Sequence, residues 1–105
     1  MKKPILFFVD ISDTDDSGIK AKILKALPEE GLSVTDDHQS ANFVVQTLQQ
    51  SVKKPILPKQ IQVLIGDFSR PQTVPAQAIC VDQNTGLVPL ANGPVPWREY
   101  VRGKI

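Results

Sequence analysis

The chain has one cysteine, one histidine, one tryptophan and one tyrosine in 105 residues. A single thiol, Cys80, excludes an intrachain disulfide and any zinc site built from several cysteines. Cys80 lies in the apolar run Ala78-Ile79-Cys80-Val81, the setting of a buried, inert thiol rather than a nucleophile. The lone His38 stands among Asp36, Asp37, Gln39 and Ser40, which predicts an exposed loop residue. Nothing in the spacing brings it to Cys80 as a nucleophile–base pair. Glycine is sparse and scattered, with Gly18, Gly31 and Gly66 each isolated, so no phosphate-cradling loop is written in the chain. Strong net charge is also missing. The formal balance is +1, which carries no overall footprint for nucleic acid or acidic lipid. Long apolar runs are absent too. The opening run Ile5 to Val9 ends at Asp10 and falls short of both a membrane span and a signal-peptide core. The expectation is a cytoplasmic protein as written, or a periplasmic or outer-membrane-associated one if an export segment has been trimmed.

What is present is a globular composition, 41% hydrophobic and 22% charged, in a length that suits one domain spanning residues 1–105. Ile5 to Val9 is a continuous run of β-formers and reads as a central strand buried on both faces. An acidic turn over 10–17 leads to a helix at about 17–27, capped by Asp15, Asp16 or Ser17. Ile19, Ile23, Leu24 and Leu27 share its apolar face, and Pro28 stops it. Leu32 to Thr35 alternates like a short strand and completes a β-α-β unit. Asp36 to Ser40 is a polar turn, with Asp37 placed to cap one helical turn. Residues 41–52 satisfy both a helical stripe (Ala41, Val44, Val45, Leu48, Val52) and a strand. The tight polar reversal before them favours the strand. Ile61 to Ile65 and Gln77 to Val81 are further strands. Asp82 to Gly86 reads as a hairpin turn into Leu87-Val88, and Asn92-Gly93 as a second turn. Pro89, Pro94 and Pro96 hold the flanking segments to edge strands or extended coil. The expected fold class is mixed α/β (α+β): a β-α-β unit extended by several mostly antiparallel strands into one sheet with one main helix.

Three features bear on chemistry. Asp13, Asp15, Ser17 and Gly18 match the opening of an EF-hand loop, but Leu24 stands where the bidentate Glu belongs, so no metal site is expected. Lys54-Pro55-Ile56-Leu57-Pro58-Lys59 contains a P-x-x-P with basic flanks and reads as a rigid connector. The tail from Pro94 to Arg102 holds the only Trp, the only Tyr and two of the three Arg, residue types enriched at interface hot spots. Trp97, Arg98, Tyr100 and Arg102 are therefore the candidate partner-binding residues. The competing role is that Trp97 and Tyr100 close the core. No catalytic residue and no cofactor is indicated.

Charge is divided along the chain. Residues 1–52 carry five Lys against eight Asp/Glu, and residues 53–105 carry seven Lys/Arg against three Asp/Glu. Such a dipolar protein can dock through one face.

Residues 5–50 resemble the soluble part of TraT-type lipoproteins, the surface-exclusion proteins of conjugative plasmids. Ser12-Asp13-x-Asp15-x-Ser17-Gly18, Lys22-Ile23, Ala26, Gly31, Val34, Ala41 and Gln46 carry the likeness. The family's lipid-modified cysteine and apolar segment have no counterpart here. The resemblance implies a bacterial envelope, plasmid or phage setting and brings no catalytic residues. The functional expectation is a non-enzymatic protein–protein interaction module, its partner another protein or a second copy in a homo-oligomer, with no nucleic acid and no membrane span. The alternatives are a small inhibitor, immunity or regulatory protein, and a small ligand-binding domain or enzyme using the acidic loop 10–17.

Overall fold

The computed structural model describes residues 5–11, 18–29, 31–48, 53–68, 73–75, 77–89 and 93–103. Its main feature is a five-stranded sheet in the order β2-β1-β3-β4-β5, every neighbouring pair parallel. The strands are β1 (Leu6–Val9), β2 (Ser33–Val34), β3 (Phe43–Thr47), β4 (Ile61–Gly66) and β5 (Ile79–Asp82). Helix α1 (Ile19–Glu29) joins β1 to β2. A separate antiparallel ribbon pairs β6 (Leu87–Val88) with β7 (Val95–Pro96), and α2 (Trp97–Gly103) follows it.

The fold is therefore mixed α/β with one main helix, but the strands of the sheet are parallel, not mostly antiparallel. The reason lies in the connections. Between β3 and β4 and again between β4 and β5 the chain has about a dozen residues, the least a parallel crossover needs, and it uses them without a regular helix among the described residues. The turn at Asp82 to Gly86 is present, closed by the Gly86 amide on the Asp82 carbonyl at 2.8 Å. It is not a hairpin, because β6 leaves β5 and pairs with β7.

Alternation sorts the sheet into two faces. Phe7, Phe43, Val45, Val63, Ile65, Ile79 and Val81 join Ile19, Ile23, Ala26 and Leu27 of α1 and Trp97 and Val101 of α2 in one core. The rings of Phe7 and Phe43 stack across neighbouring strands at 4.6 Å. The apolar stripe of α1 differs from expectation. Ala26 faces inward, while Leu24 is 38% exposed.

Pro28 does not stop α1 but sits in its last turn. The end is instead a Schellman arrangement. The Leu32 amide reaches the Leu27 carbonyl at 2.9 Å, the Gly31 amide reaches that of Pro28 at 3.0 Å, and Gly31 takes a φ of 75° that glycine tolerates freely. The expected capping residues Asp15, Asp16 and Ser17 lie outside the described residues.

β3, not β1, is the strand buried on both faces, since all five of its residues are buried. β1 is paired on both sides, yet Leu6, Phe8 and Val9 are only half-buried. The tail after Pro96 is helical rather than extended. Trp97 and Val101, four residues apart, fall on one face and are both buried, and Glu99 lies in the first turn, where a negative charge suits the helix dipole.

Substitution of Phe7 by Ala should cost about 3–5 kcal/mol in urea unfolding, as for other large-to-small core changes. Leu24→Ala should stay within about 0.5 kcal/mol. Equal losses would show that the two faces of β1 and α1 are misassigned.

Candidate functional site

The second face of the sheet carries Leu6, Phe8, Val44, Gln46, Gln62, Leu64 and Cys80, the residues that alternate with the core set. Neither α1 nor α2 covers it, and the single helical turn His38–Ser40 reaches only Phe8. Residues 53–60 cross it instead as an irregular strap, running from the carboxyl end of β3 back to the amino end of β4. A strap of coil on a buried face must have its backbone groups satisfied, and three side chains do this.

Asp10, just past β1, accepts on Oδ2 from the Lys54 amide at 2.8 Å and from Gln46 Nε2 at 2.9 Å. Gln46, fully buried in the middle of β3, also donates to the Lys54 carbonyl at 2.9 Å. Its own Oε1 accepts from Gln62 Nε2 at 2.7 Å. At the other end, Gln60 is buried and donates through Nε2 to the carbonyls of His38 and Ala41. Its Oε1 receives the Leu57 amide at 3.0 Å. Lys54 lays its ammonium 5.6 Å from the centre of the Phe8 ring, within cation–π range.

His38 is not the exposed loop residue expected. It is half-buried, edge-on to Phe8 with ring centres 5.4 Å apart, and its buried Nε2 has no hydrogen-bond partner among the described residues. The helical turn His38–Ser40 is there, capped by Asp37, whose carboxylate takes the Gln39 amide at 3.1 Å and the Ser40 hydroxyl at 2.5 Å. The Ser40 hydroxyl, and then the Gln39 amide, hold the Asp37 carboxyl below its ordinary range.

Cys80 is half-buried on this second face rather than in the core. Desolvation pushes its thiol up, so it is mainly the unreactive thiol at neutral pH.

Strand order marks a further place. The chain turns from β1 outward to β2 and then back to β3, so the order reverses between β1 and β3. Open parallel sheets bind ligands outside the carboxyl ends of the strands at such a point. Asp10 stands there. Most of the acidic segment that follows it, including Asp13, Asp15 and Ser17, lies outside the described residues.

The tail residues are placed as follows. Trp97 is 8% exposed and belongs to the core, the core-closing role set beside the interface one. Its amide is held by the Gly86 carbonyl at 3.0 Å. It also walls a small recess of about 90 Å³ with Ile23, Val81, Lys22 and Asp82. Tyr100 is half-buried against the same core and Arg98 is half-buried. The side chain of Arg102 lies outside the described residues. Trp97 is thus brought together with α1 and β5, and Tyr100 packs against the same core.

The residues missed by sequence reasoning are Gln46 and Gln60. The only signal was a glutamine inside a run of β-formers, where an amide must find partners if buried. No helix among the described residues is long and apolar enough to cross a membrane. No cluster of three or more His, Cys, Asp or Glu among them could hold a metal ion.

Two expected outcomes follow from these placements. Asp10→Ala strands two donors under the strap and should cost about 1–3 kcal/mol, with faster amide exchange at Lys54 and little change in β5. Trp97→Ala should cost about 3–5 kcal/mol in thermal or urea unfolding, whereas a purely interfacial Trp97 would leave stability intact. Compared with protein-family models, with curated proteins and with solved structures, the chain matches none of them.

Proposed function

We propose that this chain is a non-catalytic protein-binding module that docks a partner on the second face of its sheet. One observation carries the reading: the helices cover only one face of an all-parallel sheet. Such sheets occur almost only with both faces covered. Here the strap buries Val44, Gln46 and Leu64 but leaves Leu6, Phe8, Gln62 and Cys80 half-exposed. That face is the natural seat for a protein that completes the cover. The strap brings Lys53, Lys54 and Lys59 to it, and the whole stretch 53–66 has no acidic residue, so the partner surface is acidic. An envelope or mobile-element-encoded assembly as the setting rests on the TraT-type resemblance of residues 5–50 alone.

A second reading is favoured by the strand order. A small ligand would sit at the carboxyl ends of β1 and β3, beside Asp10. The two readings use opposite parts of the molecule. Docking uses the flat of the sheet, and ligand binding uses its carboxyl edge.

The test is site-specific photocrosslinking in the native host, with a photoreactive phenylalanine analogue placed at Phe8, at Gln62 or at the exposed Leu24 of α1. The expected result is one discrete protein adduct from positions 8 and 62 and none from 24, abolished by the charge reversals Lys54→Glu and Lys59→Glu together. Adducts from position 24 alone, or none from the second face, would overturn docking there. Loss of biological activity in Asp10→Asn with the adducts intact would favour the ligand reading.

A further inference from the structure

At the amino ends of β4 and β5 the second face opens into a groove of about 410 Å³, between the strap and Pro75, Gln77 and Ala78. Ile61 and Gln62 of β4 and Ala78 form part of its lining, with Pro58 and Pro75 on either side. The volume lies in the range of small binding clefts, enough for a few side chains and far too little for a folded surface.

We propose that this groove takes an extended peptide segment of the partner, an apolar residue flanked by Asp or Glu. This deepens the docking reading above and rests on it.

Three features fit that occupant. First, the lining is mixed. Ile56, Leu57, Ile61 and Ala78 offer contact to an apolar side chain, while Gln62 and Gln77 offer amides. Gln62 spends a donor on Gln46 and keeps its Oε1 for a peptide N–H, and an amide pairs with peptide groups through both donor and acceptor.

Second, the charge is of one sign. Lys59 is the only charged residue of the lining among the described residues. It is exposed and has no ion-pair partner among the described residues. Lys53 and Lys54 lie further along the same strap. An acidic flank meets an unopposed cation, and the like-charge penalty rejects basic sequences.

Third, the walls are stiff. Each proline has a fixed φ and no amide to satisfy, and the turn behind Pro58 is closed by the Gln60 amide on the Leu57 carbonyl at 2.9 Å. The Ala78 amide closes on the Pro75 carbonyl at 3.1 Å on the other side. Walls constrained in this way lose less entropy on binding than unconstrained coil.

The experiment pans random phage-displayed peptides on the immobilised full chain, wild type and Lys59→Glu in parallel. Affinities of the selected peptides are then measured by fluorescence anisotropy on synthetic copies. Wild type should select an apolar residue with acidic neighbours. Lys59→Glu should bind that peptide about tenfold more weakly, and should regain affinity when the flanking acids are exchanged for lysine. No selected consensus, a consensus without acidic residues, or equal binding by both proteins would overturn the proposal. Displacement of the peptide by oligouridylate at equal charge concentration would overturn it as well, because the groove would then be reading charge alone. If peptides fail while positions 8 and 62 still yield the single crosslinked adduct, the docking reading survives and only the peptide assignment falls. If both fail, the docking reading falls with it.

Discussion

Every strand of the main sheet runs the same way, so each return from a carboxyl end to an amino end has to cross a face. This chain has one long helix to spend on four such returns, from β1, β2, β3 and β4. Most of what is unusual in the molecule follows from that shortage. The return from β3 to β4 is made by coil, and coil carries unpaired amides and carbonyls onto a surface that would otherwise be dry. A buried backbone group without a partner costs about 1–3 kcal/mol, which is why amide side chains stand where apolar ones would otherwise serve. Gln46 takes the place of a fourth apolar residue in β3, and Gln60 is buried at the mouth of β4. Asp10 ties the end of β1 to the same strap.

This accounts for what was legible in the chain and what was not. The position of β1, α1, β3, β4 and β5 follows from runs of β-formers and one amphipathic stripe. Their direction does not. A parallel crossover through a helix announces itself by periodicity, but Lys53 to Gln60 is proline-bounded and aperiodic, and such a segment looks the same whether it turns back or crosses over. In α1, Leu24 and Ala26 exchange roles because Ala26, seven residues after Ile19, falls inside the regular stripe of Ile19, Ile23 and Leu27 while Leu24 falls beside it, and a small residue is what close packing on β1 and β2 accepts. α2 was hidden by Pro94 and Pro96, which argued for extended chain. A proline just before a helix is in fact well tolerated, and the spacing of Trp97 and Val101 was the signal available. Cys80 reads as buried in the sequence but is half-buried on the second face, because an apolar neighbourhood does not say which way a strand residue points. The groove is built from Pro58, Gln62 and Pro75, and no local pattern joins residues that far apart.

The division of charge along the chain acquires a spatial meaning in this topology. The acidic first half supplies β2, β1 and β3, and the basic second half supplies β4 and β5. Among the described residues the contrast lies between the β2 edge and the strap. Near the β2 edge, Asp36 and Asp37 are exposed. On the strap, the charges are lysines only. A molecule polarised this way aligns in the field of a charged neighbour before contact, a contribution to encounter rate more than to affinity.

The placement of Gln46 has a further consequence for how the chain reaches its fold. β3 pairs with β1 across 36 positions, Phe7 lying opposite Phe43, and α1 and β2 are threaded between them. Contacts of such separation form late, because the loop must close before they reward it. Until then Phe43-Val44-Val45-Gln46-Thr47 is an uncovered β-prone segment, the kind that pairs with copies of itself. Gln46, fourth in that run, gives it no protection, because glutamine side chains form ladders of their own in stacked strands. What covers the segment is the strap that the same amide fixes, so protection arrives only with the finished sheet.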